Sequence, residues 1–505
     1  VTLGELLTGQ DHRILQGIPD TAITAGVCID ARRAGPGSLF IAVDGQECGG
    51  AAFVHSALAA GAVAVLVDAE GASDATAWTP FPDACVVRVP HTRVAASALA
   101  ARFHGNPGRS MDMVAVTGTN GKTSVAGMTQ SLLRTVADVR TGVIGTGGSR
   151  IGDETVPMPM SVLSTPEAPD FQYLLGHMRD REVGAVVLEA TSMGLLNHRV
   201  DDAYLDVGVF TNLTQDHLDD HGTMDSYRDA KLRLFQGLCR HAVVNADDPV
   251  GALVPAMMPG AVTTYALDAD VEADFRATDL DMDAAGTRFT LHHGEDKHPA
   301  AIRVPGRFSV YNALAAVAAC HALGHSVEAL VGALERLPAI PGRFERFETP
   351  RGTCVIVDYA HSPDSLEKVL TAVRGFATGR VVTVFGCGGD RDVTKRAAMG
   401  RIAGTHSDLC VLTSDNPRTE DPEAILDQIA PGLAGTGTPY ERCADRREAI
   451  GKALAAAGEG DIVLVAGKGS EPYQTVGEEL VPFNDMATVR ELASGQRRVP
   501  GCGAE

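Results

Sequence analysis

The sequence predicts an α/β protein of three domains, and three observations carry that prediction. Short β-branched apolar runs alternate with helical patterns from end to end, as parallel sheets flanked by helices require. One such run leads into a Gly-rich loop that opens a helix near residue 120. The 505 residues exceed what one hydrophobic core usually organises, and two turn clusters divide them. The expected architecture is a central P-loop-type parallel-sheet domain between an N-terminal domain and a C-terminal Rossmann-like domain. Asn106-Pro107-Gly108 and Ala339-Ile340-Pro341-Gly342 place the boundaries, giving 1–108, 109–340 and 341–505.

In the first domain, residues 61–68 (GAVAVLVD) read as a buried strand preceded by an Ala-rich helix. The second opens with Met113-Val114-Ala115-Val116, then the Gly-rich loop, then a helix from about Thr123. Further strands are expected at 183–188, 205–210 and 242–244, while 268–293 reads as an acidic connection with some strand character. The last domain repeats the alternation, with strands at 354–357, 381–385, 410–413 and 462–465 and helices between them. Neither an internal repeat nor a low-complexity segment interrupts the pattern.

Composition narrows the function. Hydrophobic residues make up 45% and charged residues 21%, an ordinary globular balance. A formal net charge of −21 leaves no basic surplus to neutralise nucleic-acid phosphates. An anionic ligand must therefore be held by local cations and backbone N–H groups. Ten cysteines occur singly, with no C-x-x-C pair, so reduced thiols are expected rather than a zinc site or disulfides. No apolar stretch approaches the roughly 18 residues a membrane span needs. Val-Thr-Leu-Gly-Glu at the start lacks signal-peptide character, and a cytoplasmic protein is expected.

The chemistry concentrates in a few motifs. Thr117-Gly118-Thr119-Asn120-Gly121-Lys122-Thr123-Ser124 follows a strand and opens a helix. Glycines let the backbone wrap closely, so successive N–H groups and the helix N-terminus face phosphate oxygens. Lys122 would neutralise the terminal phosphates, with the Thr123 hydroxyl on a magnesium ion. Strict P-loop spacing asks for glycine where Val116 stands, so a chance Gly-rich turn is the competing reading. Glu189 ends an apolar strand, where a carboxylate projects from the carboxyl edge of the sheet and suits either a metal or plain solvent. Asp415-Asn416-Pro417-Arg418 follows a strand and precedes an Asp421-Pro422 helix start. Read as chemistry, Arg418 offers a planar fork to a carboxylate; read as structure, the segment is an Asx turn.

TGTNGKTS resembles the nucleotide loop of the Mur ligases and folylpolyglutamate synthetases, which form amide bonds through acyl phosphates. Thr211-Asn212-Leu213 with Asp216-His217-Leu218-Asp219, then Tyr311-Asn312-Ala313, then Asp358-Tyr359-Ala360-His361 resemble the same superfamily in the expected order. Within it, 385–392 (FGCGGDRD) and Asp415-Asn416-Pro417-Arg418 resemble the diaminopimelate-adding branch of the Mur ligase family. The resemblance implies ATP and Mg²⁺ as cofactors. It also implies two further substrates, UDP-N-acetylmuramoyl-L-alanyl-D-glutamate and meso-2,6-diaminopimelate, joined during peptidoglycan precursor synthesis.

Residue by residue, it implies that Lys122, Glu189, His217 and Lys231 are catalytic and that Thr123, Glu189, His217 and Lys231 form the metal site. Lys231 would carry a carbamate, since a free ammonium has no lone pair for a cation. The ATP contacts would be Gly118, Thr119, Asn120, Gly121, Lys122, Thr123, Ser124, Asn312, Arg343 and Asp358. Outside the resemblance, Lys231 reads as a solvated helix lysine, Asn312 as a cap, Arg343 as a surface arginine and Asp358 as a turn. Ser164, Thr165, Thr191, Asn197 and Arg199 would meet the muramyl peptide, although Ser164-Thr165 before Pro166 also reads as a helix cap. Arg391, Asp415, Asn416, Pro417, Arg418, Gly467 and Glu471 would hold diaminopimelate, Glu471 at its distal ammonium.

Departures from the family pattern are visible. Ala31 stands where a serine is usual, Met193 and Ser470 stand where histidines are usual, and Asn197 replaces a frequent glutamine. They leave open a related ligase that uses another carboxylate or amine. A nucleotide-binding scaffold without catalysis is the reading from a different class, and Lys122, Glu189, His217 and Lys231 argue against it.

Overall fold

The computed structural model describes residues 1–45, 48–73, 75–157 and 163–495; of the ten cysteines, Cys502 lies outside them. Among the described residues the strands form sheets of five, eleven, six and two strands, and the class is α/β. The chain divides into two compact units, one of residues 1–117, 138–208 and 230–242, the other of 118–137, 209–229 and 243–505.

In the first unit, a five-stranded sheet is built from Arg13–Gln16, Gly26–Cys28, Ser38–Ile41, Ala64–Val67 and Cys85–Arg88, parallel except for the first. Its inner strands are apolar on both faces because helices cover both. Leu39, Ile41 and Leu66 enter one core with Leu3, Leu7 and Leu99, while Phe40, Val65 and Val67 enter another with Val54 and Trp78. The strand expected at 61–68 is Ala64–Val67, preceded by helix Val54–Ala59. Also in this unit, Ala185–Glu189 lies between Asp112–Thr117 and Thr141–Gly145, all parallel, with Glu189 opposite Val116.

The second unit contains the nucleotide-loop helix Lys122–Leu132 and a six-stranded sheet. The order across that sheet is Glu345–Glu348, Cys354–Asp358, Ile462–Ala466, Val381–Phe385, Leu409–Leu412 and Tyr440–Arg442, parallel but for the first. Alternation again splits two cores. Ile356, Phe385 and Leu464 pack on helices Pro363–Phe376, Lys395–His406 and Pro422–Ala434, whereas Val355, Val384 and Val465 pack on Arg446–Ala456 and Asp485–Ser494. The chain order of the strands reverses beside Ile462–Ala466, so the loops after Asp358, Phe385, Leu412 and Ala466 gather at one carboxyl edge, where α/β sheets bind ligands. Residues 268–293 are more regular than the sequence suggested. Phe275–Asp283 and Gly286–His293 form an antiparallel pair, and Asp296–Ile302 extends it. No described helix is long and apolar enough to cross a membrane.

Candidate active site

The nucleotide loop is fixed by close approach. Gly118 has φ +144°, and a Cβ there would lie 1.9 Å from Thr211 Oγ1. Gly121 has φ +89°, and a Cβ there would lie 2.5 Å from Asn312 Oδ1. Only glycine fits either position. The Thr119 N–H donates to Asn212 O (2.8 Å), the Asn120 N–H to Asn212 Oδ1 (3.0 Å), and Thr211 Oγ1 to Asn120 O (2.6 Å). Thr211-Asn212-Leu213 therefore serves as the floor of the loop. Lys122 Nζ donates to the carbonyls of Gly118 (2.9 Å) and Thr119 (2.8 Å), and Ser124 follows in the first turn of the helix. Arg343 is not a surface arginine: its Nη2 donates to Thr123 Oγ1 (2.7 Å) and its guanidinium lies 4.2 Å from the Tyr359 ring centroid. Asn312 sits within helix Arg307–Ala322 rather than at a cap. Asp358 is a buried strand-end carboxylate that accepts from the N–H groups of Phe344 (2.7 Å) and Ala360 (2.8 Å); burial pushes its pKa up against the pull of Arg343.

Asp216 is the buried carboxylate of this region. His361 Nε2 and Lys395 Nζ lie 3.6 Å from its oxygens and His217 Nε2 lies 3.8 Å away. Burial favours the neutral acid, but His361, Lys395 and His217 outweigh it and hold the carboxyl well below the usual range. His217, at φ 54°, stands beside Asp219 and Asp220, with ligand atoms of the three within 4.8 Å of one another. Arg391 Nη1 pairs with Asp219 Oδ2 at 3.0 Å.

In the other unit, Glu189 is 1% exposed, and both its oxygens are engaged. Thr146 donates its N–H to Oε1 (2.9 Å) and its hydroxyl to Oε2 (3.1 Å). The Thr146 hydroxyl also meets Ser164 Oγ at 2.9 Å, and Thr165 Oγ1 donates to the Glu189 carbonyl at 2.7 Å. Thr165 and Thr191 hydroxyls are 2.9 Å apart, and Arg199 reaches Thr165 O (3.1 Å) and Glu167 (2.6 Å). Ser164 and Thr165 are thus no helix cap; helix Ala168–Arg179 begins after Glu167, and the hydroxyls are spent on the Glu189 strand end. Asn197 closes helix Ser192–Leu196, which carries Met193. Lys231, at the end of helix Met224–Leu232, is 1% exposed, so the solvated-lysine reading is wrong: its ammonium position lies inside the protein. Ala31 begins a short turn capped by Asp30, whose carboxylate takes the Arg32 N–H at 2.9 Å.

The third cluster lies at the carboxyl edge of the six-stranded sheet. Arg418 has φ 50° and donates through Nη1 to Gly389 O (2.6 Å). Its backbone is held by hairpin 473–482, through Arg418 N–H to Thr475 O (3.0 Å) and Gly477 N–H to Arg418 O (2.8 Å). Gly388 lies against both cations, since a Cβ there would be 2.9 Å from Arg418 Nη1 and 3.8 Å from Arg391 Cγ. Asn416 Nδ2 donates to Glu471 Oε2 (3.1 Å), and the Tyr359 hydroxyl donates to Glu471 Oε1 (3.3 Å). Asp415 is buried beside Gly467, whose φ of +120° and lack of a side chain leave Asp415 Oδ2 its room. Burial pushes the Asp415 carboxyl up, and Lys468, Arg446 and His361 more than reverse that. Pro417 supplies a carbonyl that packs on Gly389. Sequence reasoning missed Lys468, Lys395 and the support from Thr146 and Arg446. Only Lys468 left a signal, by its place within Gly467-Lys468-Gly469-Ser470-Glu471.

Comparison with known proteins now decides the family. Three successive family domains match: the Mur ligase family catalytic domain at 24–104, the Mur ligase middle domain at 116–320 and the Mur ligase glutamate ligase domain at 342–469. A UDP-N-acetylmuramoyl-L-alanyl-D-glutamate--2,6-diaminopimelate ligase of Caldanaerobacter subterraneus subsp. tengcongensis is 39% identical over 97% of this chain and 98% of its own. The chain belongs to the Mur ligase family. The ligase of the same name from Geobacillus thermodenitrificans is 41% identical over 93% of this chain and 94% of its own. A solved structure of a ligase of that name superposes with a TM-score of 0.68 at 31% identity, covering 98% of this chain and 99% of the other.

Proposed function

We propose that this Mur ligase joins meso-2,6-diaminopimelate to UDP-N-acetylmuramoyl-L-alanyl-D-glutamate at the expense of ATP, in the cytoplasm, as a step in peptidoglycan precursor synthesis. The observation that carries the reading is that the loop 415–418 supplies both Arg418 and Asn416, the residue that donates to Glu471. A guanidinium and a carboxylate carried on loops of the same carboxyl edge suit the zwitterionic distal end of diaminopimelate, a feature lysine lacks.

The free carboxylate of the muramyl dipeptide attacks the γ-phosphate, releasing ADP and leaving an acyl phosphate. The amine of diaminopimelate then adds to that carbonyl, and phosphate departs from the tetrahedral intermediate. No side chain of this chain acts as nucleophile, so positioning carries most of the rate. The N–H groups of 118–124 and Lys122 hold the β- and γ-phosphates, while Asn312, Arg343 and Asp358 surround the adenosine. Ser164, Thr165, Thr191, Asn197 and Arg199 bind the muramyl peptide, and Arg391, Asp415, Asn416, Pro417, Arg418, Gly467 and Glu471 bind diaminopimelate. Thr123 and His217 on one unit, and Glu189 and a carbamylated Lys231 on the other, offer mainly hard oxygen ligands of the kind Mg²⁺ takes; the ion would neutralise charge developing on the transferred phosphoryl group. Domains 1–108, 109–340 and 341–505 serve the UDP-sugar, ATP and the amino acid respectively.

The experiment is a substrate matrix, with the muramyl dipeptide set against diaminopimelate, lysine and other amino acids and product read by mass. ADP release with diaminopimelate, and not with lysine, is expected. Turnover only with another carboxylate or amine selects the specialised-ligase reading that Ala31, Met193 and Ser470 motivate.

A further inference from the structure

The roles above leave Lys468 unused, yet it is a fully buried cation, 0% exposed, in the middle of the amine site. Its Nζ donates to Glu471 Oε2 at 2.6 Å and to Asn416 Oδ1 at 2.9 Å. Asn416 Oδ1 also takes the Thr475 N–H at 2.9 Å. Two donors on that oxygen fix the amide so that Nδ2 faces Glu471. We propose that Lys468 is a specificity-determining positioning residue: it cancels one of the two carboxylates Asp415 and Glu471, leaving the amine site one negative charge for one distal ammonium. The inference rests on the diaminopimelate reading and deepens it.

The count holds because the neighbouring charges are otherwise committed. Arg446 belongs to Asp485, with Nε–Oδ1 and Nη2–Oδ2 distances of 2.7 and 2.8 Å, and both side chains are fully buried. His361 pairs with Asp216. Arg418 stands against Gly388 and Gly389, available to the distal carboxylate of a zwitterion. Lys468, Asp415 and Glu471 therefore sum to a single negative charge beside a single positive one, the mirror of a distal group that carries both. Without Lys468, two negative charges face that group. They favour an amine with only an ammonium at its far end, such as L-lysine, because charge complementarity at a desolvated site discriminates between partners.

The test uses the full chain, ATP and the muramyl dipeptide. It compares the KM for meso-diaminopimelate with the inhibition constant of L-lysine against it, in the wild type, Lys468→Met, Glu471→Gln and the double variant. For Lys468→Met we expect the KM for diaminopimelate to rise by about tenfold or more and the preference to move about tenfold toward lysine, with the KM for ATP within about twofold. Glu471→Gln should move the preference away from lysine. The double variant restores the charge count and should return the preference toward the wild-type value. An unmoved preference in Lys468→Met, or a double variant no nearer the wild type than Lys468→Met, overturns the inference. If Lys468→Met does not fold by thermal melt, the Glu471→Gln arm decides, and an unmoved preference or one moving toward lysine refutes the charge count. Wild-type protein that uses some other amine and not diaminopimelate overturns the proposed function along with it.

Discussion

Arg446 and Asp485 form a two-pronged ion pair with no exposure to solvent on either side. Arg446 also donates to the carbonyls of Ala466 (3.0 Å) and Ser414 (3.4 Å), the residues just before Gly467 and Asp415. One guanidinium thus ties together the two strand ends that carry the amine site. Its partner sits in the first turn of helix Asp485–Ser494, so the helix is bound into the same junction.

Breaking that pair should cost stability well beyond a surface contact. Arg446→Met leaves the Asp485 carboxylate buried without its charged partner, which costs about 3–5 kcal/mol. A lowered urea midpoint with unchanged slope is the expected reading. Arg446→Met combined with Asp485→Leu should recover much of the loss, because the stranded charge is gone. A single variant as stable as the wild type contradicts the role assigned to the pair.

Gly121→Ala should impair ATP binding without unfolding the protein. The left-handed backbone at φ +89° costs an L-residue about 1–2 kcal/mol, and the new methyl would press on Asn312 Oδ1. A loss of roughly tenfold or more in ATP affinity by calorimetry is expected, since 1.4 kcal/mol is already a factor of ten. Equal affinity in the variant would mean that the loop does not hold the phosphates in this conformation.

What the sequence disclosed, and what it withheld, follows from the distance between partners. The loop 117–124 was legible because strand, glycines, lysine and helix are contiguous. Glu189 was legible as a strand end, and Asp415 to Arg418 as a turn between a strand and a capped helix. Ser164 and Thr165 invited a cap reading because Ser-Thr-Pro has that local chemistry; only the fold brings Glu189 and Thr191 to their hydroxyls. Lys231 read as solvated because nothing local marks a lysine as buried. Lys395 escaped because its partner Asp216 lies 179 residues away; Lys468 pairs with Glu471 only three residues on, but nothing local marks its ammonium as buried, and its other partner, Asn416, lies 52 residues away. Residues 268–293 concealed a hairpin because its exposed acidic face masks the alternation of Phe275, Ala277, Phe289 and Leu291.

Lys231 is predicted to carry a carbamate in the active enzyme. Its burial at the end of helix Met224–Leu232 is the setting in which CO₂ modification replaces a cation with a metal-binding anion. Lys231→Ala should be inactive and partly rescued by short carboxylates such as formate or acetate, with the KM for ATP little changed. An unmodified ammonium in crystals of fully active enzyme removes the idea.

Arg418→Asn is predicted to lose diaminopimelate far more than ATP. Only the amine site uses the fork, and the substrate carboxylate would lose its charged partner at a cost of roughly 2–5 kcal/mol. The hairpin contacts of Arg418 run through its backbone and survive the substitution, so the thermal midpoint should move little. Unchanged KM and kcat for diaminopimelate would count decisively against the assignment.

The departures at Ala31, Met193 and Ser470 should weaken recognition of the muramyl peptide without abolishing ATP chemistry. Ala31 opens the turn capped by Asp30, where a serine would add one hydroxyl. Met193 rides on helix Ser192–Leu196, two residues past Thr191, and Ser470 immediately precedes Glu471. A hydrogen bond between neutral groups contributes about 0.5–1.5 kcal/mol net, so each missing partner should cost roughly tenfold at most. That is too little to exclude the muramyl dipeptide as substrate. Ala31→Ser, Met193→His and Ser470→His, made singly, should each raise kcat/KM for UDP-N-acetylmuramoyl-L-alanyl-D-glutamate and leave the KM for ATP in place. Ser470 adjoins Glu471 of the amine site, so the gain from Ser470→His should appear partly in the KM for diaminopimelate. Absence of turnover with this dipeptide in the wild type and in all three reversions would instead assign the chain to another carboxylate.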